Sequence, residues 1–288
     1  MSICKSLLVG AFAAALVGSP AAYGFDASKL FSSDEEPRNV LRYGYQALKR
    51  GAFDEALGAF RFGASRNDIA SQWKLARMLQ TGTGEGQDHR AAYDLFSKIA
   101  ARFSEQFPAQ HNLAYVSSAV VSLGRYDLTG IDGFITADPR RAEFRFYRAA
   151  ALYQDPEAQY QLGRLYRSGR VGAQPRSGVL WLSLSARKGH VLAQAELGEM
   201  LFNGEGISPN RVRGLVMMSR AAKTLPPGKD VWVHESLSRA LAQADGAERE
   251  QMTAILFDDT AGSGNPQDYA LEKVPNPDAA AGRVVSSD

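Results

Sequence analysis

The sequence predicts an all-α protein, an α-solenoid of antiparallel helix pairs. Three observations predict it. The first is a stretch written twice: Ala158-Gln159-Tyr160-Gln161-Leu162-Gly163-Arg164-Leu165-Tyr166, followed by Ser168-Gly169, returns as Ala193-Gln194-Ala195-Glu196-Leu197-Gly198-Glu199-Met200-Leu201, followed by Asn203-Gly204. A fixed period of this size marks a repeat architecture, in which each unit buries its apolar face against its neighbours. Second, each copy is followed by a turn with a proline (Pro175, Pro209) and a further apolar run, Gly178 to Ala186 and Gly214 to Ala222. Third, Leu162, Leu165 and Tyr166 stand at helical spacing, which gives the first helix of the unit, helix A, one apolar stripe.

Gly163 inside helix A costs about 1 kcal/mol against alanine. Close approach of the second helix, helix B, accounts for it, because only a residue without Cβ lets the two backbones touch. Gly169 and Gly204 suit the left-handed residue after a helix end. Ser208-Pro209 reads as the N-cap and first-turn proline of a helix B. The same register recurs upstream: Ser71-Gln72 precedes Leu75-Ala76, and Ala109-Gln110 precedes Leu113-Ala114. In all four copies a small residue and a Gln stand four and three positions before the apolar anchor. These residues resemble Sel1-like repeats, relatives of the tetratricopeptide repeat, over residues 70–223.

Taken in order, residues 1–24 read as a secretory signal peptide. Lys5 precedes an apolar run, Leu7 to Val17, and small residues occupy the −3 and −1 positions of a cut before Phe25. That run is too short to span a bilayer. Removal of the leader takes away the only cysteine, Cys4, so packing alone holds the exported body together. Residues 25–38 are polar and acidic and read as an exposed lead-in. The helical repeat domain follows over 39–260, with units at about 39–66, 70–101, 109–153, 156–190 and 193–223 and a terminal cap at 230–259. In the first, Gly44, Gly51, Phe53, Ala56 and Phe60 fall at tetratricopeptide spacing. In the third, helix A is predicted from Ala109 to Leu123, with an insertion from Gly124 to Pro139 before a helix from Arg140 to Tyr153. That insertion reads equally as a candidate contact or cleavage loop and as a merely tolerated insertion. In the cap, Val233, Leu237, Leu241 and Ala244 share one face, and a last helix carries Met252, Ile255 and Leu256. Residues 261–288 are rich in Gly, Pro, Asp and Ser and read as a disordered tail.

Chemistry is sparse. The net charge is +2, and near +1 without Lys5, the only charge before Asp26, so bulk charge predicts neither nucleic-acid nor bilayer binding. The four histidines (His89, His111, His190, His234) stand apart, and no metal motif, nucleophile elbow or phosphate loop is present. Thr81 to Gly86 is glycine-rich, but no strand precedes it and no Gly-Lys-Ser/Thr follows. The sequence predicts no enzyme, no cofactor and no metal.

A binding surface remains. In tetratricopeptide-like stacks the A-helices line the concave face, and the residue after the glycine points into it. By register this selects Tyr45, Arg77, Arg164 and Glu199, with Trp73, Arg167 and Phe202 nearby. Arginine and aromatic residues are the usual anchors of protein interfaces.

The order of leader, tetratricopeptide-like opening, Sel1-like units and tail resembles one family over its whole length. Asn39 to Ala64 and Gln72 to Ala100 carry the resemblance most clearly. The family is that of the periplasmic negative regulators of exopolysaccharide production found in rhizobia and related alphaproteobacteria. The resemblance implies a periplasmic protein that binds the sensor domain of a membrane histidine kinase and holds it off, until a periplasmic protease removes the inhibitor. Polysaccharide synthesis is thereby repressed. Periodicity alone supports an exported binding scaffold. A structural adaptor in envelope or polysaccharide-export assembly would read the same way.

Overall fold

The computed structural model describes residues 26–103 and 107–258. The predicted leader and tail lie outside the described residues. Among those described are twelve α-helices: α1 (Pro37–Lys49), α2 (Phe53–Ser65), α3 (Ile69–Thr81), α4 (His89–Arg102), α5 (Gln110–Thr129), α6 (Pro139–Leu152), α7 (Pro156–Ser168), α8 (Pro175–Arg187), α9 (Val191–Asn203), α10 (Arg211–Thr224), α11 (Val231–Gln243) and α12 (Gly246–Asp258). The described residues contain no strand, only an isolated bridge between Ile131 and Ile135.

Local chemistry sets the helix starts. Asp68, Asp88, Asp138 and Asp155 each accept a hydrogen bond from a backbone N–H in the first turn, and His190 and Asn210 do the same with a ring nitrogen and an amide oxygen. Proline opens α1, α6, α7 and α8, where its missing N–H costs nothing. The expectation that Ser208-Pro209 opens a helix is corrected here. The cap is Asn210, whose side chain accepts from the Arg213 N–H at 3.1 Å, and α10 starts at Arg211.

Odd-numbered helices up to α9 are A-helices, and each packs antiparallel on the B-helix that follows. The tightest crossings are glycine on glycine. A Cβ on Gly163 would lie 2.7 Å from Leu182 Cγ and 3.2 Å from the Gly178 carbonyl. One on Gly214 would lie 2.5 Å from the Gly198 carbonyl and 2.8 Å from the Phe202 nitrogen. The backbones themselves therefore touch, and the offset predicted for the helix-breaking glycine is real. In the first unit the same space is filled differently: the Phe60 ring, fully buried, lies on Gly44.

The third unit departs from the predicted register. Gly124 lies inside α5, not in an insertion, and the buried Phe146 ring lies against it as Phe60 lies on Gly44. Leu123-Gly124 is thus the anchor of this unit. Ala114 is exposed and Leu113 only half buried, so the Ala109-Gln110 match is a coincidence of letters in an A-helix lengthened at its N-terminal end. The connection shrinks to residues 130–138.

The signature glutamine has a structural task. Gln72 donates from Nε2 to the Ala64 carbonyl at 3.3 Å, Gln159 to Ala150 at 3.3 Å and Gln194 to Ala186 at 3.2 Å. Each acceptor stands near the end of the preceding B-helix, so this residue bolts one unit to the next.

Successive A-helices meet (α3 with α5, α9 with α11), whereas α2, α4, α6 and α8 pack chiefly on the A-helices flanking them. The A-helices are therefore the inner layer. Both ends differ from expectation. The lead-in is not simply exposed: a short 3₁₀ turn, Ala27–Lys29, brings down Phe31, which is buried with Val40 and Ala59 beside the Tyr43 and Phe62 rings. At the other end, α11 packs on α9 and α10, but α12 packs on α10. Met252 reaches the cluster of Phe202, Leu215 and Met218, while Ile255 stays exposed, because α12 crosses one helix instead of lying in a groove between two. No helix of the described residues is long and apolar enough to cross a membrane.

Candidate functional site: the inner face of the A-helices

The structure divides the predicted binding residues into two clusters and removes one of them. Phe202 is 3% exposed, in the core with Leu215 and Met218, and the Arg211 guanidinium lies 3.9 Å over its ring. Its inclusion in the groove is corrected. Phe202 lies one helical turn beyond Gly198, directly on Gly214, and that position faces the partner helix.

The first cluster spans α1, α3 and α5. Trp73 donates from Nε1 to Ser118 Oγ at 2.9 Å and its ring lies 5.5 Å from that of Tyr115. Tyr45 packs edge-on against Phe60, and the Lys74 ammonium sits 5.3 Å over the Tyr45 ring. Arg77 donates to Gln80 Oε1 at 3.0 Å. Trp73, Arg77, Ser118, Val121, Arg125 and Glu157 line a groove of about 290 Å³. Arg125 belongs to this set and was missed in the sequence. It follows Gly124 as Arg77 follows Ala76 and Arg164 follows Gly163, a signal hidden by the misplaced register of the third unit.

The far wall of that groove is electrostatically satisfied. Burial pushes the Glu157 carboxyl up, but hydrogen bonds from His190 and Gln161 and the charge of Arg125 outweigh it and bring it down to about 2. His190 contributes both ring nitrogens, with Nδ1 accepting from the Ala193 N–H at 3.2 Å and Nε2 bonded to Glu157 at 3.0 Å. Nδ1 must therefore carry no proton and Nε2 must carry one, a tautomer set by the cap.

The second cluster spans α7, α9 and α11. Arg167 reaches Glu196 at 3.3 Å, Glu199 at 2.9 Å and Glu205 at 2.8 Å. Arg164 lies 3.5 Å from Glu196 and 5.5 Å over the Tyr160 ring. Glu199 also accepts from Ser236 Oγ at 2.6 Å and lies 3.6 Å from Arg239. Burial opposes the charge on Arg167, yet its three carboxylates win and its pKa lies above the ordinary arginine value. Burial likewise works against the Glu199 charge, but Ser236, Arg167 and Arg239 hold its carboxyl below the usual range. For Glu196 the balance falls the other way: burial raises it against the pull of Arg164 and Arg167. Arg167 and Glu199 are struts between units. Beside them Arg164, Arg167, Arg170, Gln161, Leu128 and Glu205 line a groove of about 390 Å³.

No cluster of three or more metal-ligating side chains occurs among the described residues. What the face offers chemically is recognition: rings, guanidiniums and an ammonium set on rigid helices.

An all-helical array of this kind, with small residues at each A–B crossing and its polar side chains on the A-helices, defines a class of repeat scaffold. The Sel1 repeat model matches residues 69–102, 108–153, 156–190 and 191–223, and the chain belongs to the Sel1 repeat family. A Sel1 repeat protein from Oxalobacter formigenes shares the fold, with a TM-score of 0.59 at 22% identity, covering 81% of this chain and 92% of that one. At finer grain, the chain is 30% identical to the exopolysaccharide production negative regulator of Rhizobium leguminosarum bv. viciae, over 90% of this chain and 96% of the relative. It is also 30% identical to the protein of the same name from Rhizobium meliloti (strain 1021), over 85% and 88%.

Proposed function

We propose that this protein restrains exopolysaccharide production by binding another protein through the inner face of its A-helices. The observation that carries this reading is the similarity over nearly the full length of two exopolysaccharide production negative regulators. The repeat scaffold supports a binding mode of action over a catalytic one, since Sel1 units build surfaces from stacked helices. In the finer reading, which rests on the resemblance drawn from the sequence, the protein is exported to the periplasm by the leader at residues 1–24. There it holds off the sensor domain of a membrane histidine kinase, and proteolysis of the inhibitor lifts the block.

Deletion of the gene tests this. Exopolysaccharide output is expected to rise in an otherwise intact cell and to stay at the basal level when the kinase is also deleted. Unchanged output in the single deletion would sink the proposal. Lower output, with export machinery and no kinase recovered in a pull-down, would establish the adaptor reading in its place. A phosphatase fused after residue 40 and active only outside the cytoplasm checks the compartment.

A further inference from the structure

The two halves of the inner face differ in how their charges are used. Around α7, α9 and α11 the guanidinium of Arg167 is matched by Glu196, Glu199 and Glu205. Around α1, α3 and α5 Arg125 is matched by Glu157, but two cations on α3 are not matched. Lys74 and Arg77 are half buried and one helical turn apart on α3, and among the described residues neither forms an ion pair with a carboxylate. Lys74 faces the Tyr45 ring, and Arg77 has the neutral Gln80 as its hydrogen-bond partner. Burial and the neighbouring charge of Arg77 hold the Lys74 ammonium below its ordinary range, so the two cations feel one another without a counter-charge.

The acids on the opposite wall are already engaged. Asp155 caps α7 through the Ala158 N–H at 2.9 Å and accepts from Ser117 Oγ at 2.7 Å, and Glu157 is held by Arg125, Gln161 and His190. Half-buried cations without partners cost stability. A carboxylate brought by another molecule supplies the missing counter-charge and relieves the repulsion within the pair. The rings of Tyr45, Trp73 and Tyr115 beside them give apolar contact area at little entropic cost.

We infer that the inner face at α3 and α5, around the groove lined by Trp73, Arg77, Ser118 and Arg125, is a docking site for an acidic segment of a protein partner, whose carboxylate is received by Lys74 and Arg77 while a neighbouring apolar side chain lies on Trp73 and Tyr115. This deepens the proposed function and rests on its inner-face reading. The balanced half around Arg167 then holds the scaffold in shape, and the unbalanced half selects the partner. Because the pair is positive and partly desolvated, recognition is salt-sensitive and charge-specific.

The test places p-benzoylphenylalanine at Tyr115 in the full-length protein in the cell of origin, with Leu152 on α6, an exposed B-helix residue, as the control position. The crosslinked partner segment is sequenced, synthesised, and synthesised again with Gln and Asn for its acids. The expected result is a crosslink from position 115 to a segment of net negative charge. The purified protein then binds the acidic peptide at least tenfold more tightly than the amide version. That preference is lost in Lys74→Gln/Arg77→Gln and in Lys74→Glu/Arg77→Glu, variants whose circular dichroism and melting temperature match the parent. A crosslink from position 115 to a neutral or basic segment, or peptide binding indifferent to the charge reversals, overturns the inference and leaves the inner-face reading standing. Crosslinking from position 152 alone, or from neither position, overturns both.

Discussion

At Gly214 a methyl group has nowhere to go. The atoms it would strike are the Gly198 carbonyl and the Phe202 nitrogen, both backbone, so no rotamer change relieves the clash and the α9–α10 pair must move apart. Gly214→Ala is expected to lower stability by about 3 kcal/mol in urea unfolding. Gly246→Ala, where nothing lies within 4 Å of the new Cβ, should stay within about 0.5 kcal/mol of the parent. Glu157 gives a residue-scale prediction in pH. Its carboxyl falls from 4.5 to about 2 on folding, so the stabilisation is complete above pH 4.5 and is lost as pH drops towards 2. Glu157→Gln removes a proton-binding site from that window. Its melting temperature is therefore expected to fall less than the parent's over the same acid titration, and an equal fall in both would refute the assignment. These residues also differ in how readable they were. Gly163 and Gly198 announced the close crossing because a helix has no other use for glycine there. Glu157 announced nothing, since its three partners stand on α5, on α7 itself and at the start of α9.

The hairpin of α5 and α6 is where one element depends on a single side chain. The Asp127 carboxylate is fully buried and accepts from Arg141 Nε at 2.6 Å and Arg145 Nε at 2.5 Å, while its backbone carbonyl accepts from the Asp138 N–H at 2.6 Å. The acid thus sets the approach of α6 after the 130–138 connection. Asp127→Ala strips both guanidiniums of their partner. Both arginines keep some access to water, so the cost falls at the low end of that for a buried pair, at about 3 kcal/mol. Amide exchange should quicken first in α6, and uniform quickening along the chain would show that Asp127 serves the whole stack instead. This hairpin is also where the letters misled. Ala109-Gln110 sits too early because α5 has 20 residues where the other A-helices up to α9 have 13. Nothing in the A-helix sequence states its length. The true register follows from which residue Phe146 covers, and Gly124 became visible only when α6 was laid against it. Arg125 was lost from the candidate site by the same slip.

For the whole molecule, a solenoid's stability is a sum of units and interfaces, and its open ends must be closed. Phe31 closes one of them. Phe31→Ala is expected to cost about 3 kcal/mol by cavity formation and to release the residues before α1 to protease, with α7 to α10 unaffected in exchange measurements. Loss of protection throughout would mean that the array folds as one unit. At this scale the inner face becomes a single surface with two characters. One half is stitched by Arg167 and its carboxylates, and the other presents Trp73, Lys74 and Arg77.

The amino-acid sequence by itself determined the all-α class, the paired helices, the small residues at their crossings and the family. Each of these depends on neighbours within one unit, where periodicity and caps speak directly. Tertiary structure alone decided the register of the third unit, the burial of Phe202, the packing of the lead-in and the division of charges on the inner face. Those follow from which side chains meet across units, 38 residues apart in the chain for Arg167 with Glu205 and 45 for Trp73 with Ser118. No local pattern records such a meeting.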